Sequence, residues 1–360
     1  MLLKNSELQE GKNMKKFGMI VRILCLFLAI FCCLAGCNSG TSDATETEAD
    51  DTQTQASIDT QTEVTEGADE NKTVINAMSF NVWGSNDGKA TANDSTKIVR
   101  GSPMIRGPKL NSLLNGENID VAGLQEVSAR TDWVKFMQDS LDNKYSYIAA
   151  HTTDIESGVY IIYRNDKLEV IENGMFYLYD NAPTRPMKYS ESEFQRICNW
   201  AIFKIKETGE LFVFMDTHLD TYAEGRIKQV NILVSQISVL KEKAKTLIGV
   251  DDCPVILVGD FNSKPGETVC VEVAKVMNDS LSITQGKQVN PSLNTHTGFW
   301  YCASTADYKK DGGRIDYVWV SKDNLSVRDY KMIHTSTNLC PYGEYISDHN
   351  AVIAQIEFGE

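Results

Sequence analysis

The chain has 360 residues, 42% of them hydrophobic, which is enough apolar material for a sizeable core. Its 49 acidic against 35 basic side chains give a formal charge of −14, so it has no global attraction for polyanions. That argues against tight nonspecific binding of nucleic acid but does not exclude a nuclease, because local positive charge or a bound cation decides how phosphate is received.

At the N-terminal end, Lys15 and Lys16 follow Met14 and lead into 13 uncharged residues, Ile23 to Ala35. A spanning helix needs roughly 20 residues, so the pattern is that of a signal peptide, and the same length argues against an uncleaved anchor helix. The stretch ends in Leu34-Ala35-Gly36-Cys37, which looks like a bacterial lipobox whose cysteine would be diacylated. Residues 1–36 are therefore expected to be a lipoprotein signal peptide. The protein would be lipid-anchored at Cys37, extracytoplasmic, on a bacterial cell membrane.

From Asn38 to Lys72 the chain is rich in Thr, Ser, Asp, Glu and Gln and has no aromatic residue. Such a segment cannot bury enough apolar surface to offset its ordering entropy, and residues 37–72 read as a solvated tether. The signal segment carries +3 and the tether −9, which leaves −8 on Thr73–Glu360. Five cysteines remain there, Cys198, Cys253, Cys270, Cys302 and Cys340. They are odd in number, widely spaced and without a C-x-x-C pattern, so no disulfide framework is read and most are expected in the core.

Apolar runs that look like buried strands recur at Val74–Val82, Ile119–Leu124, Val159–Tyr163, Trp200–Ile205, Leu211–Met215, Val255–Val258, Ile315–Val320 and Ala351–Phe358. Several are near-continuous, as expected for strands covered on both faces. A helix is predicted from about Ala223, where Ile227, Val230, Val234, Ile237 and Leu240 recur at three-to-four spacing as a core-facing stripe. Weaker helices are predicted over Lys109–Leu114 and Asp132–Leu141. No repeat or linker interrupts the pattern after Lys72, so residues 73–360 are expected to form one α/β domain, a sandwich of two mixed β-sheets with helices outside.

Six polar clusters lie at or near the ends of these runs. They are Asn81 after Met78-Ser79-Phe80, Glu126 after Gly123-Leu124-Gln125, His218 in Asp216-Thr217-His218-Leu219-Asp220, Asp260 with Asn262 in Gly259-Asp260-Phe261-Asn262, Asp316 in Arg314-Ile315-Asp316-Tyr317, and Asp348-His349 after Ser347. In a strand, residues two apart share a face, which would aim Asp260 and Asn262 at one centre and bury Phe261. Oxygen donors of this kind suit a hard cation, Mg²⁺ first with Mn²⁺ or Ca²⁺ as alternatives, whereas structural zinc would want cysteines or more histidines at fixed spacing. Carboxylates, an amide and a histidine beside an aspartate are the means for metal-assisted attack on phosphorus.

The order of these motifs resembles the endonuclease/exonuclease/phosphatase superfamily, over essentially all of Thr73–Glu360. The resemblance implies a four-layer DNase I-like α/β sandwich and divalent-metal phosphoester hydrolysis, without choosing a substrate. Transferred by motif, Glu126 with Asn81 would hold the metal and Asp348 would bind a second metal or help place the first. Asp260 would orient or deprotonate the attacking water, and Asn262 would hydrogen-bond the phosphoryl group. His349 fits a general acid or base because an ordinary imidazole, with a pKa near 6.5, exchanges protons at neutral pH, and Asp316 would fix its tautomer.

His218 would contact the phosphate from the opposite side, with Glu156 as an approximate match to the glutamate partner seen in DNase I-like members. Arg196, before the Trp200 run, resembles an arginine of an exported bacterial branch that would grip phosphate, and His296 in Asn294-Thr295-His296-Thr297-Gly298-Phe299 would face the cleft. Trp83 and Trp300 are read as packing residues, Arg164 as a solvated edge charge, and His151 and His334 as surface or satisfied core histidines. The partners expected are a phosphoester, whether nucleic acid, nucleotide, phospholipid head group or sugar phosphate, and the membrane through the anchor, with the protein monomeric. A surface lipoprotein that only binds, on the same fold, is the competing class.

Overall fold

The computed structural model describes residues 72–84, 102–154, 158–180, 184–249, 252–297 and 313–359. The leader, Cys37, the acidic tether, Glu156, Trp300 and Cys302 lie outside the described residues.

Two sheets form the body. The first runs from β1 (Val74–Asn81), β2 (Val121–Gln125), β3 (Tyr145–His151) and β4 (Gly158–Arg164) to β10 (Gln288–Val289), β12 (Leu325–Ile333) and β13 (Ala351–Phe358), in the spatial order β10-β12-β13-β1-β2-β4-β3. The second holds β5 (Leu168–Tyr177), β6 (Ile197–Ile205), β7 (Leu211–His218), β8 (Val255–Asp260), β9 (Met277–Asp279) and β11 (Asp316–Ser321), in the order β5-β6-β7-β8-β11-β9. Both are mixed. β1 pairs in parallel with β2, and β7 with β8, whereas β1 with β13 and β8 with β11 are antiparallel.

The near-continuous apolar runs become the central strands. Every residue of β2, β8 and β11 is buried, because one face meets the other sheet and the other face meets helices. Ala77, Val121, Phe214, Ile256, Val258 and Val352 belong to the core between the sheets. Outside the first sheet, α1 (Pro103–Gly116) and α2 (Asp132–Asp139) add Leu110, Leu113, Trp133 and Phe136 to a second core with Phe80 and Leu124. Outside the second sheet, α3 (Ala223–Ile248) and α4 (Thr268–Ala274) cover Met215, Leu257 and Trp319. Helices, sheet, sheet, helices is the four-layer sandwich expected.

Local signals set the helix ends. Pro103 opens α1, where its missing N–H costs nothing. The Thr131 side chain accepts from the Trp133 N–H at the start of α2. Gly249 ends α3 at φ 75°, and its N–H caps the Lys245 carbonyl.

Three expectations need correction. Ile227 is exposed, and the buried stripe of α3 is Val230, Leu233, Ile237, Leu240 and Ala244. The first turns pack instead against a polar loop: Gly225 lies against Ser192, and Gln229 donates to Ser192 Oγ while accepting from the Asp220 N–H, which turns Ile227 outward. β3, β5, β9, β10 and β12 were not visible as apolar runs, and α4 and α5 (Ser280–Ile283) were not visible as helical patterns. β5 and β12 mix buried with exposed or half-buried positions, and each carries a register shift, so neither has the continuity of a two-face-buried strand. Arg164 is not merely solvated, since it is bonded to Asp166 and lies 3.8 Å from the buried Asp120. Cys198, Cys253, Cys270 and Cys340 are free and buried, as expected of core thiols.

Gly123 marks a point of close approach between the sheets beneath the strand ends, where a Cβ would collide with Val258 Cγ2 and the Asp216 carboxyl. Overpacking of this kind costs about 1–3 kcal/mol. Gly123→Ala should therefore lower the denaturant midpoint at unchanged m-value, and a wild-type midpoint would show that the sheets can part there freely.

Candidate active site

The site is assembled by strand register. β7 beside β8 places His218 next to Asp260, and β11 on the other side of β8 places Asp316 next to Asp260, so the three side chains stand in a row at one end of the second sheet. In the first sheet β1 beside β2 places Asn81 next to Gln125, with Glu126 one residue further on. Asn81 joins the sheets: its Nδ2 donates to Glu126 Oε1 and to Asp260 Oδ2, both at 3.1 Å.

Asp260 Oδ2 is the meeting point. It lies 3.5 Å from His218 Nε2 and 3.8 Å from His349 Nε2. The other nitrogen of His349, Nδ1, is 2.9 Å from Asp316 Oδ2, which fixes the ring. Thr295 Oγ1 accepts from the Ile315 and Asp316 N–H groups and so holds the start of β11.

The pleat does not bring Asn262 to the centre, as the sequence pattern had implied. β8 stops at Asp260, whose Oδ1 accepts from the Asn262 N–H at 2.8 Å, and Asn262 adopts φ 47°. An aspartate turn of this type reverses the chain locally. It carries the Asn262 amide back to donate to Leu219 O and to His218 Nε2, while Phe261 is buried edge-on to Tyr317 as expected. Glu126 and Trp83 also take positive φ, 62° and 57°. Non-glycine residues in the left-handed region cost of order 1–3 kcal/mol each and persist where surroundings over-determine them.

Electrostatics separates the two central histidines. For His349, burial opposes the charge, yet Asp316, Asp348 and Asp260 outweigh it and hold the imidazolium well above its ordinary range. This revises the expectation of an ordinary imidazole: at neutral pH the ring is a proton donor. His218 is pushed well below its ordinary range, by burial and then by the Arg196 and His349 charges. As a neutral ring it accepts from Asn262 at Nε2 and carries its proton on Nδ1, which has no hydrogen-bond partner among the described residues. The Asp260 carboxyl is pushed up to about 7, chiefly by burial and then by the Asp316 charge. Asp348 rises to about 6, chiefly by burial, with Glu126 adding to it.

Among the described residues, two triads bring donor atoms within 4.8 Å of one another: Asp260, Asp316 and His349, and His296, Asp348 and His349. Glu126 joins them through Asn81. Asn81 presents its nitrogen to the two acids, and its oxygen accepts from the Trp83 N–H at 3.0 Å. Four carboxylates gathered in this way, one of them with a buried oxygen, Asp316 Oδ1, that has no hydrogen-bond partner among the described residues, fit a hard divalent cation. His296 forms a bridge with His349 in the backbone, its Nε2 lies 3.9 Å from Asp348 Oδ2, and its ring centroid is 4.8 Å from that of His349. Burial and then the His349 charge lower His296 to about 4, so it is neutral. Arg196 is buried just before β6, 4.0 Å from Asp220 Oδ2, and its Nε has no hydrogen-bond partner among the described residues.

Four contributors are not evident from the sequence motifs. Gly84 donates its N–H to Glu126 Oε2 at 2.8 Å, Ser347 Oγ donates to Asn81 O at 2.6 Å, Thr295 holds Asp316, and Arg106 is wholly buried behind Trp83. Thr295 and Ser347 lay inside strings already singled out. A lone Arg106 on a helix with an apolar face was the remaining visible signal.

The model of the endonuclease/exonuclease/phosphatase family matches residues 236–349, a span that carries Asp260, Asn262, Asp316, Asp348 and His349. Solved structures share the fold. An endonuclease/exonuclease/phosphatase family protein from Bacteroides thetaiotaomicron is 23% identical, with a TM-score of 0.64, covering 80% of this chain and 99% of its own. A mannosyl-6-phosphatase from the same organism is 24% identical, with a TM-score of 0.61, covering 78% and 99%. The human nocturnin catalytic domain with bound sulfate is 18% identical, with a TM-score of 0.54, covering 80% and 97%. No curated protein matches the chain. The family match thus covers the C-terminal part of the chain, residues 236–349, and the solved structures share its two-sheet DNase I-like fold.

The environment of His349 is open to direct test. Because its folded value is raised, the imidazole should stay protonated through neutral pH and lose its proton only above the ordinary range near 6.5, as read from its side-chain nitrogen shifts. Asp316→Asn should bring the transition down. A wild-type ring that titrates at an ordinary value would contradict the charge pairing.

Proposed function

We propose that this domain hydrolyses phosphoesters with the help of a divalent cation, Mg²⁺ in the first place, at the cluster centred on Asp260. The observation that carries it is the convergence on one carboxylate oxygen of Asn81 at 3.1 Å, His218 at 3.5 Å and His349 at 3.8 Å, from both sheets. The family match over residues 236–349 supports the reaction class.

Glu126 and Asp348 would hold the cation beside Asn81; when bound, it supplies positive charge to the phosphoryl oxygens as the transition state forms. The protein's own groups do the rest. Asp260, raised toward neutrality, is suited to accept a proton from an attacking water held against its Oδ2. His349, kept protonated by Asp316, donates from Nε2 to a phosphoryl oxygen or to the leaving group. Both hydrogens of the Asn262 amide nitrogen are taken up, by His218 Nε2 and Leu219 O, so donation to a phosphoryl oxygen would require one of them to be exchanged. His218 fixes that amide through Nε2, and Arg196 places a buried positive charge on the same side. His296 packs on His349 and shields it from bulk water.

Substrate candidates span monoesters and diesters. One structural relative is named as a mannosyl-6-phosphatase and another, the zebrafish TDP2, was solved with a single-stranded DNA product, so sugar phosphates and nucleic acids head the list. The absence of any motif break at the main positions favours catalysis over a binding-only role. The leader pattern and Cys37 support an extracytoplasmic, lipid-anchored protein with residues 37–72 as its tether.

Turnover of bis-nitrophenyl phosphate, sugar phosphates or DNA should vanish with EDTA and return with Mg²⁺. Asp260→Ala and His349→Ala should each lower kcat by at least roughly 10²- to 10³-fold while circular dichroism stays unchanged. Turnover that ignores the chelator would remove the cation, and near wild-type rates would remove the two assignments. For the anchor, Cys37→Ala should move the protein from the membrane pellet to the soluble fraction, and continued pelleting of the variant would argue against lipidation.

A further inference from the structure

Arg106 is wholly buried on α1, an unusual place for a guanidinium unless its donors are fully engaged. Its Nη1 donates to Val82 O at 2.5 Å and to Ile346 O at 2.9 Å, and its Nη2 donates to Trp83 O at 2.9 Å. The rings of Trp83 and Trp133 lie 5.0 and 4.9 Å from its Cζ. Burial lowers its pKa to about 10, still a full charge at neutral pH, and the acids whose fields favour that charge are Asp348 and Glu126.

The three carbonyls come from two segments far apart in sequence. Val82 and Trp83 directly follow Asn81 at the exit of β1, and Ile346 directly precedes Ser347-Asp348-His349. Ser347 closes the same seam from the other side, donating to Asn81 O at 2.6 Å and accepting from the His349 N–H at 3.1 Å. The consequence reaches Glu126. With Trp83 held at φ 57°, the next residue, Gly84, aims its N–H at Glu126 Oε2, 2.8 Å away. One guanidinium fork therefore ties together the loop that orients Glu126 and the loop that carries Asp348.

We propose that Arg106 is a positioning residue for the cation-holding edge of the site, fixing the spacing between Glu126 and Asp348 by clamping the exit of β1 to the 345–348 segment. The inference rests on the cation-dependent reading of the site given above. An apolar side chain would fill the same volume between α1 and the first sheet but would hold neither loop. Lysine would keep the charge and lose the planar fork that reaches carbonyls on two segments at once.

The full chain is the material for the test. Mn²⁺ affinity is measured by titration, and kcat and KM for bis-nitrophenyl phosphate are measured over a range of Mg²⁺, for wild type and Arg106→Lys. Groups that orient metal ligands from behind typically change affinity or activity by roughly 10- to 100-fold. Arg106→Lys should weaken Mn²⁺ binding about 10-fold and lower kcat at limiting Mg²⁺ by a similar or larger factor, with KM changed no more than about 3-fold and activity partly restored at high Mg²⁺. Ser347→Ala, which opens the same seam by removing one hydroxyl, should shift cation affinity in the same direction and serves where Arg106→Lys does not fold. A variant with lowered Tm but wild-type Mn²⁺ affinity and Mg²⁺ dependence would reduce Arg106 to a packing residue and overturn the inference while the hydrolase reading stands. A wild-type chain that binds no Mn²⁺ and turns over no phosphoester would sink both.

Discussion

The pairing of β8 between β7 and β11 is the constraint on which the site depends. Parallel register on one side and antiparallel register on the other put His218, Asp260 and Asp316 at the same level without any loop having to find its place. Slipping either neighbour by one residue would turn its polar side chain to the opposite face of the sheet, into apolar core. The register is held by what lies below it: Ile256 and Val258 face the other sheet, while Leu257 faces the layer of α3 and α4. Packing between the sheets thus fixes the geometry of this row.

The second sheet supplies the histidine-aspartate row, and the first supplies Glu126, so the position of the sheets relative to each other sets how these groups meet. Asn81 spans that gap with one amide nitrogen, and Gln125 spans it again deeper down, donating to Asp216 Oδ1 at 2.6 Å. Asp216 is completely buried, and burial pushes it well above the usual carboxylate range, with the Gln125 hydrogen bond acting the other way. Polar bridges of this sort inside a core are costly unless satisfied, and they favour one alignment of the sheets over others with equal apolar contact.

Much of this was legible before any coordinates. The near-continuous runs gave β1, β2, β4, β6, β7, β8, β11 and β13, because strands buried on two faces have no polar positions to interrupt them. β5 and β12 stayed hidden for the converse reason: Glu169, Glu172 and Asn173 in one, and Arg328, Asp329 and Lys331 in the other, look like loop residues until the solvent side of the sheet is known. The polar clusters were legible as strand-end punctuation in a fixed order. Their chemistry was less so. His349 is held protonated by Asp316, and His218 is kept neutral by burial first and then by the Arg196 and His349 charges, surroundings that only the fold supplies. The route by which Asn262 arrives, through an aspartate turn and not through the pleat, depends on a single backbone hydrogen bond that strand periodicity does not encode.

Three of the left-handed residues near the site sit at strand ends. Trp83, Glu126 and Asn262 each sit where a strand has ended and the chain must turn sharply while presenting a side chain or N–H to the centre. Each is pinned by a separate device: Arg106 bonding the Trp83 carbonyl, the Asn81 amide and Gly84 N–H bonding both oxygens of Glu126, and Asp260 bonding the Asn262 N–H. Strain held by several independent bonds is strain that does not relax when a ligand arrives. The site is therefore organised in advance, its dipoles and charges fixed by backbone geometry, and under the proposed reaction that is the condition in which electrostatic stabilisation of a transition state would be strongest.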